Sequence, residues 1–476
     1  MKSALTEKYR SILDDAEAFN RSIHTPLSGS FWLNPTRCSA ERLLEWMRWH
    51  GISCHQNRWQ PGAWLTDSEV GLGNTLPFTA GWYSVQEEIA MTAVRALAPA
   101  SGDRVLDLCA APGGKTAQIA LAVGNTGSVV ANEKGWQRLA SLVSRVDHLG
   151  LPNVAVTHGN GMVTTLEPKS FDKVLADVPC SGEGTVRKYT SGAPRPISED
   201  FGTSLPDVQK QLLRRALRLT KPGGVIVYST CTFAPEENEA VLSAALADLG
   251  VVEPFDLPGL RAMPGLRSWR GVEFREDVVN AHRYYPHLNN TGGFFVARIR
   301  RTERPYWREP PLRDAPPSIW HPLATAEEEA MRTWLLLRYG VPESALTGLR
   351  FFIHNHTIRA ATTSLEPPNE KINTLGVSLA ERTSKGFLLT AFGAQLVAPH
   401  ARMNVLELAT LDELSTYLQG RPLTLTGEPE WGGTVIVRYR DLSLGKGIIR
   451  GMELESQLPN YLRRQTFDIA RLSKQP

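Results

Sequence analysis

Five short apolar runs, separated by amphipathic segments, constrain this chain more than any other feature. Arg104–Leu108, Ser128–Asn132, Val154–Thr157, Lys173–Ala176 and Val225–Tyr228 are dominated by Val, Leu, Ile and Ala. Strands this uniformly apolar have no face to offer water, so they belong inside a parallel sheet covered on both sides. Helical patterns through Ala122, over Trp136–His148, Pro206–Leu219 and Glu236–Leu249 supply the cover. The expected fold is therefore α/β, with a Rossmann-like core closed by a final edge strand, Gly293–Ile299. A helix over Gly81–Leu97 is expected to lead into it.

Between the first strand and its helix lies Asp107-Leu108-Cys109-Ala110-Ala111-Pro112-Gly113-Gly114-Lys115. A glycine turn lets backbone approach a ligand closely, and the helix that follows offers unpaired N–H groups. Glu133, at the end of the next strand, is placed to accept from ribose hydroxyls. The loop has neither the G-x-x-x-x-G-K-[ST] spacing of a P-loop nor the G-x-G-x-x-G of a dinucleotide site. A ligand with ribose and adenine but no phosphate fits better, and S-adenosylmethionine is the expected cofactor. Asp177 closes the fourth strand, and two cysteines follow strand ends: Cys180 in Asp177-Val178-Pro179-Cys180-Ser181-Gly182-Glu183-Gly184 and Cys231 in Ser229-Thr230-Cys231-Thr232-Phe233. A lone free cysteine is usually an inert buried one. Two of them, with a carboxylate, on the ligand edge of one sheet are the tools for attacking an electron-poor ring. Cytosine carbon 5 becomes nucleophilic once a thiolate adds to carbon 6, with an acidic group at N3 and a proton acceptor for release. The chemistry alone leaves open whether Cys180 or Cys231 attacks.

These segments, together with Pro235-Glu236-Glu237-Asn238-Glu239, Gly81–Glu87, Pro286-His287 and Gly292–Arg298, resemble the signatures of Nop/Sun-type RNA cytosine-5 methyltransferases. The resemblance covers about residues 75–300. It implies a class I S-adenosylmethionine-dependent core, Cys231 as nucleophile, and Cys180 in product release. Contacts to the cofactor are implied for Cys109, Ala110, Ala111, Pro112, Gly113, Gly114, Lys115, Glu133 and Asp177, and for Asn160, which stands where the family usually has Asp. An amide keeps an acceptor oxygen but loses the charge. Tyr189-Thr190 also departs from a commonly acidic position.

The 476 residues, 42% hydrophobic and 21% charged, suffice for several domains. We expect a small N-terminal RNA-binding or substrate domain over 1–75, with helices at Leu5–Phe19 and Glu41–Trp49, and a catalytic core over 76–303. An Arg- and Pro-rich linker then leads to a small mixed domain over 318–392 and a C-terminal unit over 393–476. Those two units resemble the intermediate and PUA-like RNA-binding domains of the bacterial 16S rRNA methyltransferase F group. The net charge of +3 allows an RNA partner only through local patches. Arg187 and Lys188, beside the cysteine loop, are the expected phosphate contacts; Arg214-Arg215, Arg298, Arg300-Arg301 and Arg463-Arg464 read as ordinary surface pairs. Five unpaired cysteines and no signal peptide or spanning segment point to a reducing, cytoplasmic setting with no membrane partner, and no metal is expected. The expected activity is methylation of cytosine carbon 5 in small-subunit (16S) rRNA. A tRNA target and a non-catalytic ribosome assembly factor are the alternatives, Asn160 alone favouring the latter.

Overall fold

The computed structural model describes residues 2–68, 71–188, 204–304, 317–427 and 432–463. Tyr189-Thr190, residues 305–316 of the expected linker and Arg464 lie outside them.

The five apolar runs form adjacent parallel strands in the spatial order Thr220–Thr230, Phe171–Asp177, Arg104–Asp107, Ser128–Glu133, Val154–His158. Alternate residues feed two separate cores. Val105, Val129 and Val227 pack on one face, and Leu106, Val130 and Ile226 on the other, all within 2% of complete burial. This two-sided burial is why the strands carry no polar alternation. Helix Gly114–Val123 covers the first face with Ala117, Ile119 and Ala120; helix Leu205–Leu219 covers the second with Leu212, Leu213 and Ala216. The strand order reverses between Arg104–Asp107 and Phe171–Asp177, where such sheets open a ligand crevice at their carboxyl ends.

Several local expectations change. Strand Phe294–Arg301 is not an edge: it pairs antiparallel with Thr220–Thr230 on one side, and with His282–Tyr284 and Gly250–Glu253 on the other. Gly81–Leu97 is not one helix; Tyr83–Val85 is a strand, Glu88–Met91 a 3₁₀ turn, and only Thr92–Leu97 is α-helical. The Leu5–Phe19 pattern divides into Lys2–Tyr9 and Ala16–Ser22, the second capped by Asp15 accepting from the Ala18 amide at 2.8 Å.

The N-terminal unit builds a four-stranded sheet that extends past residue 75, since Tyr83–Val85 pairs with Gly29–Leu33. Its helical start crosses to the catalytic side, where Phe19 stacks edge-on to Phe233 and Tyr285 at 5.4 and 6.2 Å. The two C-terminal units each carry a five-stranded sheet, and helix Ala391–Val397 spans the expected boundary between them. They are fastened to the core. Strand Ile372–Leu375 joins the catalytic sheet antiparallel to Val154–His158, and Arg359 meets Asp147 at 2.6 Å in a buried ion pair. The last sheet and its helix Leu411–Leu418 share one apolar cluster with the N-terminal unit, including Trp46, Trp82, Leu414, Tyr417 and Val435, and Arg42 pairs with Asp441 across that seam at 2.5 Å. Among the described residues no helix is long and apolar enough to cross a membrane.

Candidate active site

Register brings the two cysteine loops together. In the parallel pairing Asp177 lies opposite Ser229, and the Ser229 hydroxyl donates to Asp177 Oδ1 at 2.7 Å. The chains leaving this matched pair turn toward each other, so Cys180 and Cys231 meet with sulfurs 3.3 Å apart and the Cys231 amide at 3.3 Å from the Cys180 sulfur. The second oxygen of Asp177 holds Lys115 Nζ at 2.7 Å. Cys231, Cys180, Asp177 and Lys115, four positions from three separate motifs, are thereby one cluster.

The thiols are unequal. Cys180 is 4% exposed, whereas Cys231 is partly open. A hydrogen bond from Cys180 to the ionised Cys231 lowers the pKa of Cys231 below that of an ordinary thiol, and the charges of Lys115 and Lys188 add to this against burial and Asp177. The same bond, together with burial, raises that of Cys180. A lowered pKa and partial access are what make a cysteine nucleophilic. Burial works against the charge of Lys115, but Asp177, with Cys231 and Asp107, opposes burial and its pKa is raised.

The acidic motif after Cys231 holds this geometry. Glu237 accepts from the Ser181 amide and from Gln209 Nε2, both at 2.9 Å. Asn238 accepts from Thr230 Oγ1 at 2.6 Å and donates to the Thr232 carbonyl at 3.1 Å. Glu239, fully buried, pairs with buried Arg283, which also donates to the Phe233 carbonyl at 3.0 Å. Glu183 accepts from Tyr9 Oη at 2.6 Å and Thr232 Oγ1 at 3.1 Å. Gly184 must be glycine because a Cβ there would lie 2.2 Å from the Gly293 carbonyl oxygen. Its amide instead donates to the Cys231 carbonyl at 2.8 Å.

On the other side of Asp177 the loop Cys109–Lys115 borders a cleft of about 420 Å³, shared with Gln86, Glu87, Asp107, Arg145 and Lys188. Gly113 has φ +97°, and a Cβ there would strike Leu142 at 2.8 Å. Glu133 lies at the far end of the loop: it accepts from the Gly135 amide at 2.8 Å and the Ala111 amide at 3.3 Å. Asn160 is farther out, its Oδ1 accepting from the Met162 amide at 3.1 Å, and it does not line the cleft. Burial raises the pKa of the Cys109 thiol. Sequence reasoning quoted Asp107 within the motif without giving it a role. One of its oxygens accepts from Thr116 at 2.7 Å, while the other is buried without a partner among the described residues, and burial lifts its pKa to about 7.

Arg187 is a correction. Its guanidinium donates to the carbonyls of Thr25, Pro26 and Thr291 and to Asn290 Oδ1 at 2.7–2.9 Å, and the residue is only 6% exposed. It ties the N-terminal unit to the core, with four of its five N–H donors spent on those acceptors. Lys188 is exposed and forms an ion pair with Glu87 at the cleft. Arg301, read as a surface residue, is 1% exposed and donates to the Leu217 carbonyl at 2.5 Å.

Comparison with known proteins identifies the architecture. Residues 94–300 match the family described as 16S rRNA methyltransferase RsmB/F. Over 468 residues, 94% of this chain and 93% of its relative, the sequence is 33% identical to ribosomal RNA small subunit methyltransferase F of Aeromonas salmonicida. The chain belongs to that methyltransferase family. A methyltransferase homolog from Pyrococcus horikoshii superposes with TM-score 0.51 at 30% identity, covering 60% of this chain and 91% of that one. NSun6 from the same organism, solved with SFG, shares the fold (TM-score 0.53, 20% identity, 63% and 98% coverage). S-adenosylmethionine is the cofactor, and the residues present fit it: a glycine-built turn at Gly113, a carboxylate at the second strand end, and Asp107, with one unpaired oxygen, in the lining of a cleft of about 420 Å³.

Proposed function

We propose that this member of the family methylates carbon 5 of cytosine in small-subunit (16S) rRNA through a covalent bond between Cys231 and carbon 6. The observation that supports this most directly is the asymmetry of the thiol pair. Of two sulfurs 3.3 Å apart, Cys231 is the more accessible and the more acidic. The opposite assignment, with Cys180 attacking, would require the buried, less acidic thiol to reach the base.

The target base must first be swung out of its stack. The Cys231 thiolate then adds to carbon 6, and the displaced π pair makes carbon 5 electron-rich. Asp177, fixed by Lys115 and Ser229, is assigned to the N3 and exocyclic amine edge, where it steadies the ring as charge moves into it. The bound cofactor supplies an electrophilic methyl group for carbon 5. A base then takes the carbon-5 proton, the double bond re-forms, and the carbon–sulfur bond breaks with its electrons returning to Cys231. Cys180, its sulfur 3.3 Å from that of Cys231, assists its departure. Gly113, Gly114 and the Ala111 backbone cradle the cofactor, with Glu133 at its ribose end. The N-terminal sheet and the C-terminal PUA-like sheet grip RNA around the cleft, and the enzyme works in the cytoplasm.

The decisive experiment uses small-subunit rRNA fragments carrying 5-fluorocytidine, whose carbon 5 has no proton to lose. With S-adenosylmethionine present the protein should form an adduct that survives denaturation. Cys231→Ala should form none, and Cys180→Ala should accumulate one even on ordinary RNA. An adduct that persists in Cys231→Ala overturns the assignment. Bisulfite sequencing of rRNA and tRNA from a deletion strain identifies the target.

A further inference from the structure

A second cavity, of about 410 Å³, opens between the helix Trp136–Leu149, the segment Phe78–Ser84 and the C-terminal unit. That size falls within the roughly 300–1,000 Å³ of small-ligand sites. Its walls are unlike those of a packing defect. Phe78 stands edge-on to His148 at 5.1 Å, and Tyr461 does so at 6.4 Å while remaining 45% exposed. Ser84, Ser144 and Arg145 supply hydrogen-bonding groups. Burial lowers the pKa of His148 to about 4, so its ring is a neutral wall.

Arg145 is the link to the reaction. It lines this cavity and also the cofactor cleft that holds Asp177 and Lys188. Its guanidinium donates to Ser84 Oγ at 2.7 Å, lies 3.8 Å from where a Gly114 Cβ would sit, and has no carboxylate in ion-pair range among the described residues. A largely desolvated guanidinium without a counter-ion, at the seam of two clefts, is suited to an anion that arrives with a ligand. Aromatic walls, hydroxyls and one unpaired cation are the elements that hold a nucleotide: a ring to stack on, groups for the base edge, a charge for the phosphate.

We propose that this cavity is a subsite for a nucleotide flanking the target cytosine, with its base against Tyr461 and its phosphate on Arg145. The proposal rests on the assignment of an RNA cytosine to Cys231, beside the cofactor cleft. It explains how one cytosine is chosen: holding a neighbour apart from the stack helps free the target and fixes its position along the strand.

The test uses the full-length protein and an rRNA fragment spanning the mapped cytosine, intact or abasic at each adjoining position. Tyr461→Ala should raise the RNA KM about tenfold, the scale of one lost base–aromatic stack, with S-adenosylmethionine affinity unchanged, and Tyr461→Phe should restore it. One abasic position should weaken binding to the wild type yet cost Tyr461→Ala little. Arg145→Gln should reduce the salt dependence of RNA binding by about one phosphate contact. Equal abasic penalties in wild type and Tyr461→Ala overturn the subsite. RNA binding that depends on Tyr461 without any methyl transfer by wild type would instead sink the reading of the cysteines and leave the subsite standing.

Discussion

The cysteine loops and the cofactor loop meet at Asp177 but are held by opposite means. Around Cys180 and Cys231 four side chains are consumed by the protein itself: Glu183, Glu237, Asn238 and Glu239 each bind a neighbouring segment, while Gln209 Oε1 and Glu236 Oε2 lack partners among the described residues. Along Asp107–Lys115 the shape comes from glycine, and polar atoms are left over. Asp107 Oδ1 on this loop, and Glu87 Oε1 across the cleft beside Gly292, are buried without partners among the described residues. Buried polar atoms are seldom left so without reason. A sulfur that must meet a swung-out base at bonding distance needs firm support, whereas a loop that takes up and releases a cofactor keeps its contacts for that cofactor.

The largest expected effect probes the cysteine side. Cys231→Ala should cut methyl transfer by about 10⁴-fold or more, as loss of a nucleophile does, with S-adenosylmethionine affinity by calorimetry nearly intact. If turnover stays near wild type, the cysteine side has no special chemistry. Next, Glu239→Ala leaves the Arg283 guanidinium charged and buried, and should cost about 3–5 kcal/mol in urea unfolding. A loss under about 1 kcal/mol would mean the acidic motif is not the support described.

Asp107 tests the opposite side. Its pKa is raised in the folded chain, so its protonated form stabilises the fold at low pH, and this contribution is lost as pH rises from 3.8 to about 7. Asp107→Asn should flatten the stability profile of the ligand-free protein across that window. Parallel melting curves at pH 4 to 8 would show that the group carries no such burden. The smallest effect is expected from Asn160→Asp. It keeps the acceptor for Met162 and adds a charge, so S-adenosylmethionine affinity should rise only a few-fold. Unchanged affinity would place residue 160 outside the cofactor contacts.

The core was legible because its strands are buried on both faces, a condition written directly into composition. Helices Pro206–Leu219 and Trp136–His148 came within a residue or two of their observed ends for the same reason. Features decided by distant partners were hidden. Arg187 beside Lys188 reads as a surface pair, yet its acceptors lie at 25, 26, 290 and 291. The apolar residues of 81–97 fit a helix, but pairing with Gly29–Leu33 draws Tyr83–Val85 into a strand. At the site, motifs located the cysteines and the loop, while the 3.3 Å approach of the sulfurs follows from strand register, which local patterns do not carry. Arg145 left no signal, since one basic residue on an amphipathic helix looks like solvent-facing charge.

The strand Ile372–Leu375 has a practical consequence. It occupies the hydrogen-bonding margin of Val154–His158, which would otherwise end the catalytic sheet. A fragment stopping near residue 304 would bare that margin, and a row of unsatisfied amides and carbonyls invites a neighbouring molecule to pair with it. Such a fragment should self-associate even with its chemistry intact, so the trailing half of the polypeptide doubles as a guard on the leading half's solubility.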